Sequence, residues 1–299
     1  MSAPRLEISG AGFAGLTAAA AFAQRGWQVR VHERAPSLRT AGAGIFVFEN
    51  GLKVLRAIGA YEQAVAGAHW APARETRDAA GRVLARMRSG SGARVVTVVR
   101  QQLLEAVADA ARRAGASIVM DSEVCAADVH GRLRLASGDC LQADLVIAAD
   151  GVHSRIRDGL GLVRSRRLLG DGAIRVLLPR RNDAVDGSDV VVEHWSGKRR
   201  VLYVPCGRDW LYLALTTLSS DTRGHALPLD LASWSASFPH LRPLLERIGT
   251  QGRWDAFETI RLRAWSAGRV AVVGDAAHAQ APNLGQGGGC AMMNALGLA

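Results

Sequence analysis

Long apolar runs are missing from this sequence: none reaches 18 residues, which excludes a membrane-spanning helix. Cysteine is scarce. Cys125, Cys140, Cys206 and Cys290 lie far apart with no C-x-x-C among them, so neither a zinc site nor a disulfide framework is expected. Lysine occurs only at 53 and 198, so the net charge of +10 is almost entirely arginine. That arginine is scattered (Arg25, Arg30, Arg34, Arg56, Arg82, Arg112, Arg132), with no basic run of five and no stripe interleaved with aromatics. Nucleic-acid binding is therefore not expected; a field that attracts anionic small molecules is. The opening residues, MSAPRLEI, enter a strand with no apolar leader, and a cytoplasmic protein is expected. No Ser-His-Asp or metal-ligand constellation is visible, nor any internal repeat.

What the chain has is glycine, at informative places. In RLEISGAGFAGLTAAAAFAQRGWQVRVHER, from Arg5 to Arg34, a short strand leads into Gly10, Gly12 and Gly15 at G-x-G-x-x-G spacing. Leu16 to Arg25 follows as an alanine-rich helix, closed by Gly26, and Trp27 to His32 is a second strand. The first glycine permits a tight turn, the second lets backbone approach a pyrophosphate, and the third lets helix and strand pack closely. The pyrophosphate meets the free N–H groups at the helix start. Glu33 stands where a carboxylate accepts from an adenosine ribose hydroxyl. FAD and NAD both use this arrangement, so the stretch alone leaves the dinucleotide open.

Further on, the segment 35–50 carries Gly42-Ala43-Gly44 and suggests a loop packed against something bound. Residues 51–59 have helical spacing, 60–93 have little periodicity apart from a possible strand at 83–87, and Val95 to Val99 is a strand before the helix Arg100 to Arg113. Residues 118–120, 124–129 and 132–136 read as short strands, the last two joined by a tight turn at His130-Gly131. From Ala173 to Thr217 strands follow one another without helices, which implies an antiparallel sheet. Helices at 231–238 and 241–248 and a strand at 253–262 complete it. The fold class is thus α/β: a Rossmann-like dinucleotide domain (1–170 and 263–299) with an inserted antiparallel β-sheet substrate domain (171–262). Two further strands end in chemistry: Leu145 to Ala149 delivers Asp150-Gly151, and Val270 to Val273 delivers Gly274-Asp275. In open α/β sheets ligands bind beyond the carboxyl ends of strands, so three such ends can border one long cofactor.

The order GAGFAG…HER, DGVHSRIR, GDAAHAQAPNLGQGGG resembles the flavoprotein aromatic hydroxylases, the single-component FAD monooxygenases typified by p-hydroxybenzoate and salicylate hydroxylases. AGAGIFVFENGLKVL, RVLYVPC, LYLAL and QGGGCAMMNA are similar to the 2-methyl-3-hydroxypyridine-5-carboxylate oxygenase branch. The resemblance implies the GR2-type flavoprotein hydroxylase fold, FAD as cofactor, NADH or NADPH as co-substrate, and O2. One oxygen atom would pass through a flavin hydroperoxide to an aromatic or hydroxypyridine carboxylic acid. It implies that Gly10, Gly12, Ala14 and Gly15 hold the FAD pyrophosphate, Glu33 the ribose, Arg34 the adenosine end and Arg100 the phosphates. Asp150 and Gly151 would serve FAD and the approach of NAD(P)H, and Gly274-Asp275 the ribityl hydroxyls. A loop from Pro282 through Gly285, Gln286, Gly287 and Gly288 would lay N–H groups beneath the flavin's pyrimidine edge. Arg200 and Tyr212, on neighbouring strands, match the substrate pocket, with Tyr203 a weaker candidate; Arg200 could anchor a carboxylate. His278 is expected to brace its turn, and His153 and His194 to lie at the surface.

Members of the family continue with more helices after the short one at 290–296, so a truncated form is one expectation. They also carry an acidic residue near the place of Asn294. A homodimer is possible. Three alternatives stand beside the hydroxylase: an FAD reductase without oxygen insertion, an FAD-binding protein without turnover, and a flavin-free NAD dehydrogenase.

Overall fold

The computed structural model describes residues 2–38, 43–90, 95–181 and 188–299; Gly42, in the loop expected to pack on a ligand, lies outside them. The glycine-motif strand, Arg5–Ser9, occupies the middle of a six-stranded sheet. Gln28–His32 and Ser117–Val119 lie on one side, and Leu145–Ala148, Val270–Val272 and Ser266–Ala267 on the other. All neighbours are parallel except the last pair. Parallel sheets bury both faces, which is why the inner strands are apolar throughout. The helix Phe13–Ala23 has ten of its eleven residues buried, and it packs on helices Arg100–Arg113 and Gly287–Leu298. A helix covered on all sides needs no polar face, and its alanines let the neighbours come close.

One charge is buried in this sheet. Glu7 is 4% exposed and holds Arg30 at 2.6 Å and His32 at 2.8 Å, while His32 reaches Ser122 Oγ at 2.7 Å. These partners keep the Glu7 carboxyl below its usual range although burial, the largest influence, pushes the other way.

The expected hairpin forms: Val124–Ala127 pairs antiparallel with Arg132–Leu135, and Gly131 takes φ +84° at the turn. A third strand, Cys140–Gln142, extends it. Three residues flanked by polar ones carry too little alternation to announce a strand.

The second large sheet has seven strands in the order Arg253–Leu262, Val163–Pro179, Trp210–Leu218, Arg199–Cys206, Val191–Ser196, Ala73–Arg77, Val83–Arg88. It is antiparallel except where Val191–Ser196 runs parallel to Ala73–Arg77. Two features differ from expectation. Ala73–Arg77, ARETR, belongs to it despite lacking an apolar period, because an ion pair to Glu75 replaces apolar packing. The strand expected at Ala173 starts ten residues earlier, since VRSRRLL faces solvent and shows no alternation.

One face of this sheet buries Ile174, Val176, Val201, Tyr203, Leu213 and Leu215 under Leu231–Ser237 and Arg242–Glu246, with Trp234 and Phe238 between. Pro239 and Pro243 split that helical stretch with a 3-10 turn at Pro239–Leu241. The other face, bearing Val204, Tyr212 and Ala214, turns toward Phe46 of the strand Gly44–Phe48. This strand pairs with Val95–Val99. The fold is the expected one: a Rossmann-like α/β domain with a second, mostly antiparallel sheet.

Candidate functional site

The glycine motifs meet at the carboxyl edge of the first sheet. Gly10 takes φ +99° and donates its N–H to the His32 carbonyl at 2.8 Å; a Cβ there would stand 2.5 Å from the Ala149 carbonyl oxygen. A Cβ on Gly15 would stand 2.0 Å from the Gly10 carbonyl oxygen. Gly12 is different: nothing lies within 4 Å of where its Cβ would be. Its missing side chain leaves open space, as close approach of a pyrophosphate requires. Ala14 packs instead of facing that space, against Gly274, whose own Cβ would come within 2.6 Å of it.

Two cavities share Gly12 and Glu33. The smaller, about 250 Å³, is lined by Gly10, Glu33, Arg34, Asp150 and Gly151 among others; the larger, about 320 Å³, by Ala11, Gly12, Arg100, Arg175, Arg253 and Asp255 among others. Glu33 accepts from the Ala11 N–H at 2.9 Å and the Ala35 N–H at 3.0 Å. Each carboxylate oxygen has a further lone pair for a hydroxyl. Asp150 accepts the Arg155 N–H at 3.0 Å on one oxygen, while its other oxygen is buried with no partner among the described residues. Burial raises its pKa, opposed by Ser154 and nearby N–H groups. A buried acceptor left unpaired on a cavity wall suits a ligand hydroxyl, and so the residues present fit a ribose-bearing dinucleotide.

The two arginines after Asp150-Gly151 do different work. Arg155 reaches out to Glu123 at 3.0 Å. Arg157 is fully buried, donating to the Val152 carbonyl at 3.1 Å, the Ala276 carbonyl at 3.0 Å and Asp158 at 2.8 Å. It ties the Asp150-Gly151 strand end to the Gly274-Asp275 turn.

Arg100 opens its helix with its guanidinium 5.1 Å from the Phe13 ring centre. It is exposed to the cleft yet walled by protein. That partial desolvation lowers its pKa, Arg175 and Arg253 push the same way, and Asp275 and Tyr212 oppose. Asp275 itself is exposed at the turn.

The segment after Pro282 corrects the sequence reading. Pro282–Leu284 is one 3-10 turn, closed by Gly285 at φ +65°, and Gln286 caps the helix. Gly287 and Gly288, expected in a loop, form the first turn of helix Gly287–Leu298. Glycine weakens a helix interior but costs less in a first turn whose N–H groups are free in any case. Gly288 is held close to Ile45, whose Cδ1 would lie 2.8 Å from an added Cβ. The N–H donors expected of a loop are therefore those of a helix start. Asn294, in place of the family's acidic residue, accepts the Gly274 N–H at 3.1 Å.

On the second sheet Tyr212 is 7% exposed, on the same face as Arg175 of the paired strand, whose Nη1 donates to Asp255 at 2.8 Å. Burial raises the Tyr212 pKa, partly offset by Arg175 and Arg100. Arg200 lies on the same face, opposite Thr216 where Tyr212 is opposite Val204. The four-residue offset separates them by roughly 13 Å along the strand. Arg200 is no solvated hairpin residue: its guanidinium sits 5.0 Å from the Trp195 ring centre, 3.5 Å from Glu193 and 3.9 Å from Asp171. It also donates to Asn283 Oδ1 at 3.3 Å, next to Pro282. Tyr203 points to the helix-covered face, away from these residues.

His278 stacks on Trp265 with ring centres 5.4 Å apart, and His153 is exposed beside Arg166 at 2.7 Å. His194 departs from expectation: it is 4% exposed, because strand alternation sends it under the helices, 3.1 Å from His240. Arg157, Arg175, Arg253 and Asp255 were missed by sequence reasoning. Arg175 had a signal, a lone charge inside the apolar strand AIRVLL.

A family model described as "FAD binding domain" matches residues 5–299. The chain belongs to that family. The tetrameric form of 2-methyl-3-hydroxypyridine-5-carboxylic acid oxygenase superposes with a TM-score of 0.94 at 41% identity, covering 100% of this chain and 82% of that one. The 2-heptyl-3-hydroxy-4(1H)-quinolone synthase of Mycobacteroides abscessus is 45% identical over 305 residues, 100% of this chain and 81% of that protein. The 6-hydroxynicotinate 3-monooxygenase of Bordetella bronchiseptica is 32% identical over 317 residues, 98% and 81%. This FAD-binding protein is a flavin-dependent monooxygenase, with NAD(P)H as co-substrate. Held by the glycine motifs, Glu33 and Asp150, FAD would supply the redox chemistry that links NAD(P)H oxidation to oxygen transfer.

Proposed function

We propose that the ring hydroxylated here is an oxygen-bearing nitrogen heteroaromatic, a hydroxypyridine acid or a 4-quinolone. The observation that carries this reading is buried Tyr212, on the sheet face that packs toward Phe46 and away from the helix-covered face. A buried phenol can donate to a ring oxygen and stabilise the negative charge that develops on it, which makes the neighbouring carbon electron-rich. The helix start after Gln286 offers free N–H groups to the cofactor's developing negative charge. Backbone at the glycine motifs, Glu33 and Asp150 would hold the dinucleotide, with Arg34 at its adenosine end and Arg100 on its phosphates.

For a ring acid, as in the hydroxypyridine branch, Arg200 is the candidate anchor. A neutral 4-quinolone is the second reading. Glu193 and Asp171 already bracket Arg200, so a third carboxylate would meet net negative charge, and a 45% identical relative is named a quinolone synthase. The test is NADH oxidation by FAD-loaded protein with 6-hydroxynicotinate, 3-hydroxypyridine-5-carboxylate and 2-heptyl-4-quinolone, with products identified by mass. Stimulation with a hydroxylated product from one of them is expected; equal oxidation with all three, and no product, would leave a reductase.

The same reading carries smaller proposals: a homodimer, a cytoplasmic location, and a division into 1–170, 171–262 and 263–299. Among the described residues no helix is long and apolar enough to cross a membrane. Light scattering on the purified protein would test the dimer against the tetramer named for the structural neighbour.

A further inference from the structure

We propose that the larger cavity receives the phosphates of NAD(P)H, on a guanidinium pair formed by Arg175 and Arg253. The two arginines stand directly opposite each other on adjacent antiparallel strands. Like charges so placed destabilise a ladder unless something holds them. Asp255 does this in part, 2.8 Å from Arg175 and 2.9 Å from Arg253. One carboxylate between two guanidiniums leaves a positive charge on that wall of the cavity. Glu33, on the far rim, is already held by the backbone N–H groups of Ala11 and Ala35.

The placement suits a ligand that comes and goes. FAD has the glycine wall, the helix start and Arg100; Arg175 and Arg253 belong to the opposite wall, on the other sheet. The Arg253 side chain is 66% exposed, so the pair is reached from solvent. Planar N–H forks match phosphate oxygens, and a positively lined cleft speeds the arrival of an anionic dinucleotide. NADH presents a diphosphate and NADPH a 2′-phosphate as well; the shared chemistry is the phosphate oxyanion.

The test uses FAD-loaded protein titrated with NAD+ and NADP+, which bind without reducing the flavin, followed by perturbation of flavin absorbance. Arg253→Gln should raise the dissociation constants about tenfold, with FAD content and affinity for the aromatic ligand unchanged, and Arg253→Lys should recover most of the loss. Weakening of both nucleotides places the diphosphate on the pair; weakening of NADP+ alone places the 2′-phosphate there. Unchanged affinity for both would overturn the proposal. So would loss of FAD from Arg253→Gln with normal nucleotide binding once FAD is restored, which would give the pair to FAD. Binding is read without turnover, so a chain that hydroxylates none of the rings above still gives a clear answer here.

Discussion

The two walls of the cleft are made of different material. The wall on the first sheet is backbone. Gly10 sits at φ +99°, Gly15 against the Gly10 carbonyl and Gly274 against Ala14, in places that admit no side chain. The wall on the second sheet is side chain: Arg175, Tyr212, Arg200 and Arg253 project from strands of ordinary geometry. A backbone wall can hold what every member of such a family shares, the diphosphate and riboses of the cofactor. A side-chain wall can change one residue at a time, and it is where the proposed ring site lies.

Breaking the backbone wall should cost most. In Gly15→Ala the new methyl would meet backbone 2.0 Å away, with no flexible side chain to yield. Loss of flavin absorbance is expected, with destabilisation above roughly 3 kcal/mol in urea unfolding. A yellow, stable Gly15→Ala protein would show that the wall tolerates side chains.

Next comes Arg157→Met, which removes the donor shared by Val152, Ala276 and Asp158. It should cost about 3 kcal/mol by leaving buried acceptors unpaired. A urea midpoint unchanged from wild type would mean that the two strand ends hold together without it.

On the side-chain wall the effects should be smaller in stability and larger in turnover. Tyr212→Phe is expected to lower kcat/KM for the ring by roughly ten- to a hundredfold, the worth of one hydrogen bond to a reacting oxygen. FAD content should stay that of wild type. If flavin is lost along with activity, the separation of the two walls fails.

The smallest effect concerns pH and lies behind the second sheet. Burial beneath the helices, then His240 and Arg77, lowers the His194 pKa to about 4, with Asp78 opposing. The unfolded chain takes up this proton near 6.5. Stability from neutral His194 is therefore full above pH 6.5 and drains away as pH falls toward 4. His194→Gln should flatten that part of the urea-midpoint profile, whereas an identical slope in both proteins would assign the acid lability to other groups, such as Glu7.

The same contrast explains what the sequence disclosed. A glycine motif is local: strand, turn, helix and Glu33 lie within thirty residues, and each constraint names its residue type. The fold class and the cofactor edge were legible for that reason. Gly287 and Gly288 misled because composition says loop where Ile45 and the neighbouring helices hold a helix. ARETR at 73–77 was invisible as a strand because an ion pair stabilises it. The Arg175–Arg253 and Arg200–Asn283 meetings span long loops, and no local spacing encodes a register set over eighty residues.

The measurement that tests the central claim most directly is oxygen-isotope transfer. FAD-loaded protein would turn over with NADH and the ring that most stimulates it, under 18O2. One heavy oxygen in the product ring, retained by wild type and strongly reduced with Tyr212→Phe while flavin stays bound, is the predicted result. NADH consumed to hydrogen peroxide, with no label in any ring, would contradict it.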